Sequence, residues 1–189
     1  MSQLVLPLRL ADHAVFASFL DDGNETLVAT LASLADGEPG QGCWLWGAKA
    51  TGKTHLLQAV CDRAGDRSVY LPLAMLADAG PEMLEGLASR ELVCIDDADR
   101  VAGDETWELA LFNLFNDLQE AGGRLLIAAT TAPRECRFRL PDLASRMTRL
   151  PVFQAVSYTH LRAHETYITI SDGVLCWKRG GGGGGGGGG

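Results

Sequence analysis

Between a short apolar run, Cys43-Trp44-Leu45-Trp46, and an amphipathic stretch over residues 53–64, the chain places Gly47-Ala48-Lys49-Ala50-Thr51-Gly52-Lys53-Thr54. Glycine, four residues, glycine, lysine and a hydroxyl residue is the pattern of a loop whose backbone N–H groups wrap a phosphate. The pattern has meaning only where a strand delivers the loop and a helix N-terminus continues from it. Both neighbours are present in that order, so this segment predicts a strand–loop–helix unit and, with it, an α/β architecture. Lys53 is placed to reach the terminal phosphates of a nucleotide, and Thr54 to present its hydroxyl to Mg²⁺.

The rest of the sequence continues the alternation. Residues 68–71, 92–95 and 124–129 read as strands, with a last strand fragment at 150–153. Helical spacing covers 25–34, 81–87, 143–147 and, longest, 104–120, where Trp107, Leu111, Leu114, Phe115 and Leu118 fall on one side. Glycines and a proline at 37–42 end the first helix. Strands apolar on both faces and alternating with helices predict a mostly parallel sheet covered on both sides, a three-layer α/β fold of the phosphate-loop NTPase kind. Residues 1–10 show no helical period and read as an extended arm. Trp44, Trp46 and Trp107 read as core and surface packing.

A second acidic element accompanies the loop. Leu92-Val93-Cys94-Ile95-Asp96-Asp97 is an apolar strand with two carboxylates at its end. Asp96 is the expected Mg²⁺ partner, and Asp97 is placed to orient or deprotonate an attacking water. Taken alone, the pair is also what a solvated strand end looks like. Thr130 and Thr131 close the next strand; Thr130 is the candidate to sense the terminal phosphate, although threonine is also common at such ends.

Composition bounds the function classes. The 189 residues are 47% hydrophobic, with 24 acidic against 16 basic side chains and a net charge of -8. That predicts one globular domain of ordinary size. No apolar run approaches the ~18–20 residues of a membrane span, and Met1 to Leu8 lacks the features of a secretory signal, so a cytoplasmic location is expected. Five scattered cysteines without a CxxC pair predict reduced, mostly buried thiols. The end of the chain reads differently. Gly180 to Gly189 is all glycine, VSYTHLRAHET at 156–166 looks like a translated sequencing-library adapter, and ISDGVLCWKRG at 170–180 is close to translated flow-cell primer. Residues 156–189 are therefore expected to be a non-native, disordered tail. Without them 13 basic and 22 acidic residues remain, a net charge of -9 that disfavours tight autonomous DNA binding and favours protein partners.

Taken together these motifs resemble the AAA+ ATPase superfamily, in particular its bacterial DnaA branch and within that the Hda-like group of DnaA regulatory inactivators. The resemblance rests on Gln3 to Leu8 (QLVLPL), Phe16 to Asn24 (FASFLDDGN), the phosphate loop with LVCIDD, AGDETWELALFNLFNDL, and LPDLASR at 140–146. It implies an arm at 1–10, an AAA+ base domain at 11–155, and a helical lid that would follow Phe153 and is expected to be missing. It implies that the arm, through Gln3, Leu4, Leu6, Pro7 and Leu8, docks on the DNA polymerase sliding clamp (its beta subunit), as a stiffened apolar peptide with a polar anchor fills a preformed groove. Phe16 and Asn24 would line the adenine of bound ADP or ATP, although Phe16 and Phe19 also suit a core. Arg146 would project into the nucleotide site of DnaA and promote hydrolysis there, the alternative being a surface pair with Asp142. A homo-oligomer is compatible with such a protein, and its own ATPase is expected to be weak or absent. Two other readings stay open: a helicase loader of the same branch, and a phosphate-loop kinase of small molecules, for which neither a phosphoacceptor pocket nor a basic lid is evident.

Overall fold

Strand β1 (Gly42–Trp46) is flanked on both sides by parallel neighbours, and the sheet grows outward from it. The other strands are β2 (Ser68–Pro72), β3 (Leu92–Asp96), β4 (Arg124–Ala129) and β5 (Val152–Gln154), in the spatial order β2-β3-β4-β1-β5. Every neighbouring pair is parallel. The computed structural model describes Phe16 and residues 23–156. The expected arm at 1–10 and the tail from 157 onward lie outside the described residues.

The alternation of side chains along each strand divides the core in two. Cys43 and Leu45 of β1, Cys94 of β3, and Leu126 and Ala128 of β4 face helices α1 (Glu25–Asp36) and α2 (Lys53–Ala64). Trp44, Val93, Ile95, Leu125 and Ile127 point the other way, with the buried residues of α4 (Glu105–Ala121) and α5 (Pro141–Arg149). Each fully buried Leu or Ile contributes ~1.5–3 kcal/mol, so both helical layers are needed to cover the sheet. This is the three-layer α/β fold that the sequence predicts. Gly42 stands where β1 begins, at φ 106°, and a Cβ there would lie 1.9 Å from the Leu125 carbonyl oxygen, so only glycine lets β1 enter so close to β4.

Several boundaries differ from expectation. No α-helix forms at 81–87. Pro81–Leu84 and Leu87–Ser89 are two 3-10 turns; Glu85 is extended, at ψ 136°, and ends the first, and left-handed Gly86 at φ 75° leads into the second. A single helical turn, α3 (Leu73–Leu76), follows β2 directly. The helix expected at 143–147 is longer, because Pro141 supplies a preset first position. β5 starts at Val152 rather than 150, since Leu150 ends the preceding helix. Helix α4 begins after Asp104, whose carboxylate caps the N–H groups of Thr106 and Trp107. Trp44 and Trp107 are buried in the core. Cys43, Cys61, Cys94 and Cys136 are free thiols, and burial pushes Cys43 up to about 12. No helix among the described residues is long and apolar enough to cross a membrane.

Candidate functional site

The spatial order puts β3, β4 and β1 side by side, so the ends of three adjacent strands meet: Asp96 from β3, Thr130 just beyond β4, and the 47–52 loop after β1. Parallel strands collect loops at their carboxyl ends, which is where open α/β sheets bind ligands. Here they border a cavity of about 720 Å³.

The loop turns through left-handed Ala50 (φ 63°) and Gly52 (φ 87°), and the Thr51 hydroxyl donates to the Ala48 carbonyl at 3.0 Å. Gly47 abuts the Ala155 carbonyl, which a Cβ would approach to 2.5 Å. Lys53, only 7% exposed, folds back on the loop: Nζ donates to the carbonyls of Gly47 at 2.8 Å and Ala48 at 2.7 Å. Burial pulls its pKa down, while Asp96, Asp97 and Asp99 oppose that fall.

Asp96 is 2% exposed and accepts three hydrogen bonds. Its Oδ2 accepts from the Thr54 hydroxyl at 2.7 Å and the Tyr70 hydroxyl at 2.9 Å, and its Oδ1 accepts from the Asp97 N–H at 3.0 Å. Burial, followed by the charge of Asp96, drives the Tyr70 hydroxyl above the usual phenol range, so it remains a donor. Asp97 sits half-buried in the left-handed region at φ 56°. Burial raises its pKa, and the charges of Asp96 and Asp99 add to the rise. Asp99 accepts from the backbone N–H and the hydroxyl of Thr130, at 3.2 and 2.8 Å.

Of the residues singled out by sequence, Lys49, Ala50, Gly52, Lys53, Thr54, Asp97 and Thr130 line one cavity, and Asp96 is bonded to its wall. Phe16 and Asn24 do not line it. Phe16 packs half-buried against the core beneath α1 and α2, and the Asn24 carboxamide exchanges two 3.1 Å bonds with the backbone of Val156. Arg146 stands on α5, away from the cavity lining, with its guanidinium 5.9 Å from the centre of the Phe112 ring. A pair with Asp142 is not among the ion pairs of the described residues. The clamp-arm residues lie outside those described.

Sequence reasoning missed Tyr70, Asp99 and Arg100. Asp99 had a signal, being the third acid of Asp-Asp-Ala-Asp. Tyr70 had none, since its partner is 26 residues away and is reached only through the β2–β3 register. The Thr54 hydroxyl and the Asp96 carboxylate are hard oxygen donors that fit Mg²⁺. Among the described residues no three His, Cys, Asp or Glu side chains could hold a metal together, so this pair suits a cation that arrives with its phosphates rather than a closed protein cage.

Residues 43–154 match the model of the ATPase family associated with various cellular activities (AAA). Among solved structures, domain III of the replication initiation protein DnaA from Thermotoga maritima is similar at 22% identity and a TM-score of 0.65, over 78% of this chain and 68% of that one. AMPPCP-bound DnaA from Aquifex aeolicus gives the same identity and TM-score over 78% of this chain, which spans 51% of that protein's length. The crystal structure of DnaI is similar at 15% identity and a TM-score of 0.58, over 73% of this chain and 87% of that one. At such identities the likeness establishes the fold.

Proposed function

Since the chain belongs to the family of ATPases associated with various cellular activities (AAA), we propose that its cavity takes an adenine nucleotide, ADP or ATP, together with Mg²⁺. We propose further that the protein is a DnaA-branch regulator which docks on the DNA polymerase sliding clamp and promotes hydrolysis of DnaA-bound ATP, restraining replication initiation. Residues 1–10 are the docking arm, 11–155 the base domain and 156–189 a non-native tail. The observation that carries the nucleotide reading is that Thr54, at the start of α2, is bonded to Asp96 at the end of β3, with Lys53 buried against the loop beside them. The AMPPCP held by the Aquifex DnaA supports the choice of nucleotide.

In this reading phosphate oxygens replace the Gly47 and Ala48 carbonyls as acceptors for Lys53, joined by backbone N–H groups of the loop. The Thr54 hydroxyl turns away from Asp96, and Tyr70 keeps that carboxylate oriented. Mg²⁺ supplies charge neutralisation at the phosphates when bound, with Thr54 and Asp96 as the donors that would hold it. Asp97, with its raised pKa, is the group suited to accept a proton from water, and Thr130 is the sensor of the terminal phosphate. Turnover at this site is weak. The residue that acts on DnaA-bound ATP is Arg146, whose guanidinium stabilises charge on the transferred phosphoryl group.

The test measures hydrolysis of DnaA-bound ATP in the presence of clamp loaded on DNA. The protein accelerates it, Arg146→Ala lowers the stimulated rate by about 10³-fold, and clamp capture by that variant is unchanged. Joint replacement of Gln3 and Leu6 by alanine abolishes capture. Equal stimulation by Arg146→Ala overturns the arginine assignment, and undiminished capture overturns the arm.

A further inference from the structure

Glu108 lies in the first turns of α4 and is fully buried, at 0% exposure. A carboxylate is an unfavourable occupant of a core unless charge or hydrogen bonds compensate it. None of the ion pairs among the described residues involves Glu108. Its partners are backbone N–H groups instead. Oε1 accepts from Gly103 at 2.7 Å and Arg139 at 3.0 Å, and Oε2 accepts from Arg139 at 2.9 Å and Leu140 at 2.6 Å.

The donors come from two places that matter. Gly103 ends the loop that starts at Asp97 and carries Asp99 and Arg100 in the cavity wall. Arg139 and Leu140 lead into α5, with Leu140 as its N-cap residue. The loop is tied separately to the end of β4, where Thr130 donates to Asp99. One turn along α4 from Glu108, on the same face, Phe112 supports the Arg146 guanidinium. Helix α4 therefore grips α5 at its start through Glu108 and at its second turn through Phe112.

We propose that Glu108 is a positioning residue: its buried carboxylate clasps the loop that walls the cavity to the start of α5 and thereby fixes where Arg146 stands. The clasp follows from geometry alone, and its effect on hydrolysis rests on the role given to Arg146 above. Glutamine at 108 keeps the shape but replaces one acceptor oxygen with a group whose N–H bonds point at N–H donors.

Hydrogen exchange on the full chain tests the clasp. In Glu108→Gln, the amides of 139–149 exchange about tenfold faster or more, while α2 (Lys53–Ala64) keeps its protection. Unchanged protection of 139–149 overturns the proposal. Should Glu108→Gln lose protection everywhere, Glu108→Asp, which keeps the charge but is one methylene shorter, must show the selective loss, and its failure to do so is equally fatal. In the hydrolysis assay, Glu108→Gln lowers kcat with KM unchanged, and the Glu108→Gln, Arg146→Ala pair is no slower than Arg146→Ala alone. Additive losses overturn action through Arg146. If the unaltered protein gives no stimulation, the regulator reading fails, and the exchange pattern still decides the clasp.

Discussion

Where β4 begins, Arg124 is buried and its guanidinium donates to the carbonyls of Leu34, Glu38 and Glu91 and, at 3.4 Å, to the Glu91 carboxylate. Arg67 joins the same cluster through the Ala35 carbonyl and Glu91. Where β3 and β4 finish, Asp96, Asp97 and Asp99 gather around one lysine, and Lys53 is bonded to the carbonyls of its own loop rather than to any of them. At the first end every charge is neutralised or hydrogen-bonded by the chain itself. At the second, burial and then the charges of Asp96 and Asp99 raise the pKa of Asp97, and the lysine is held by contacts that a stronger acceptor can displace. Buried charge with partners is architecture; buried charge with incomplete partners is a site awaiting a ligand.

The largest effect expected from breaking this contrast is on Arg124. Arg124→Ala removes a buried guanidinium that links α1 to the β3–β4 edge, leaving the Glu38 carbonyl without its side-chain donor and the Glu91 carboxylate with Arg67 alone, a loss of about 3 kcal/mol. For a domain of this size that lowers Tm by roughly 6–12 °C. Nucleotide affinity, measured by calorimetry below the lowered Tm, is unchanged. Lys53→Ala shows the opposite pattern. Removing the charge-assisted contacts to phosphate weakens adenine nucleotide binding by about 100-fold, or about 2.7 kcal/mol, while Tm moves little, because the desolvation cost of burying the Lys53 ammonium disappears together with its bonds to the loop carbonyls. A fall in both quantities for either variant would erase the distinction between the two ends.

How much of this was legible in the sequence follows the same division. The phosphate loop and Asp96 could be read because their chemistry is written in contiguous residues whose spacing is itself the signal. The core faces of α4 and of the strands could be read from periodicity. Glu108 and Tyr70 could not: each owes its role to partners 26 to 32 residues away, fixed by strand register and helix packing. The adenine-lining role of Phe16 and Asn24 comes from resemblance alone; the folded chain shows Asn24 bonded to the Val156 backbone and Phe16 packed on the core, outside the cavity at the phosphate loop. The 81–87 segment departs for a local reason, since extended Glu85 followed by a left-handed glycine outweighs apolar spacing over so short a run.

The smallest expected effect is also the sharpest test of the contrast. Asp97 is raised in pKa by burial and then by Asp96 and Asp99. A group whose folded pKa lies above its unfolded value contributes stability that is complete below the unfolded value, about 3.9 for aspartate, and lost as pH rises through the folded pKa. At pH 7 the ionised Asp97 is therefore a burden on the folded state. Asp97→Asn removes the charge and keeps the shape, and asparagine tolerates the left-handed φ of 56° as well as aspartate does. Melting curves should place Asp97→Asn above the unaltered protein at pH 7, with the gap closing as pH falls below about 4. Mg²⁺ with nucleotide should narrow the gap at pH 7, because the cation relieves the repulsion that the substitution removes. A gap that is independent of pH would mean that the acidic end of the sheet is as well compensated as the Arg124 end.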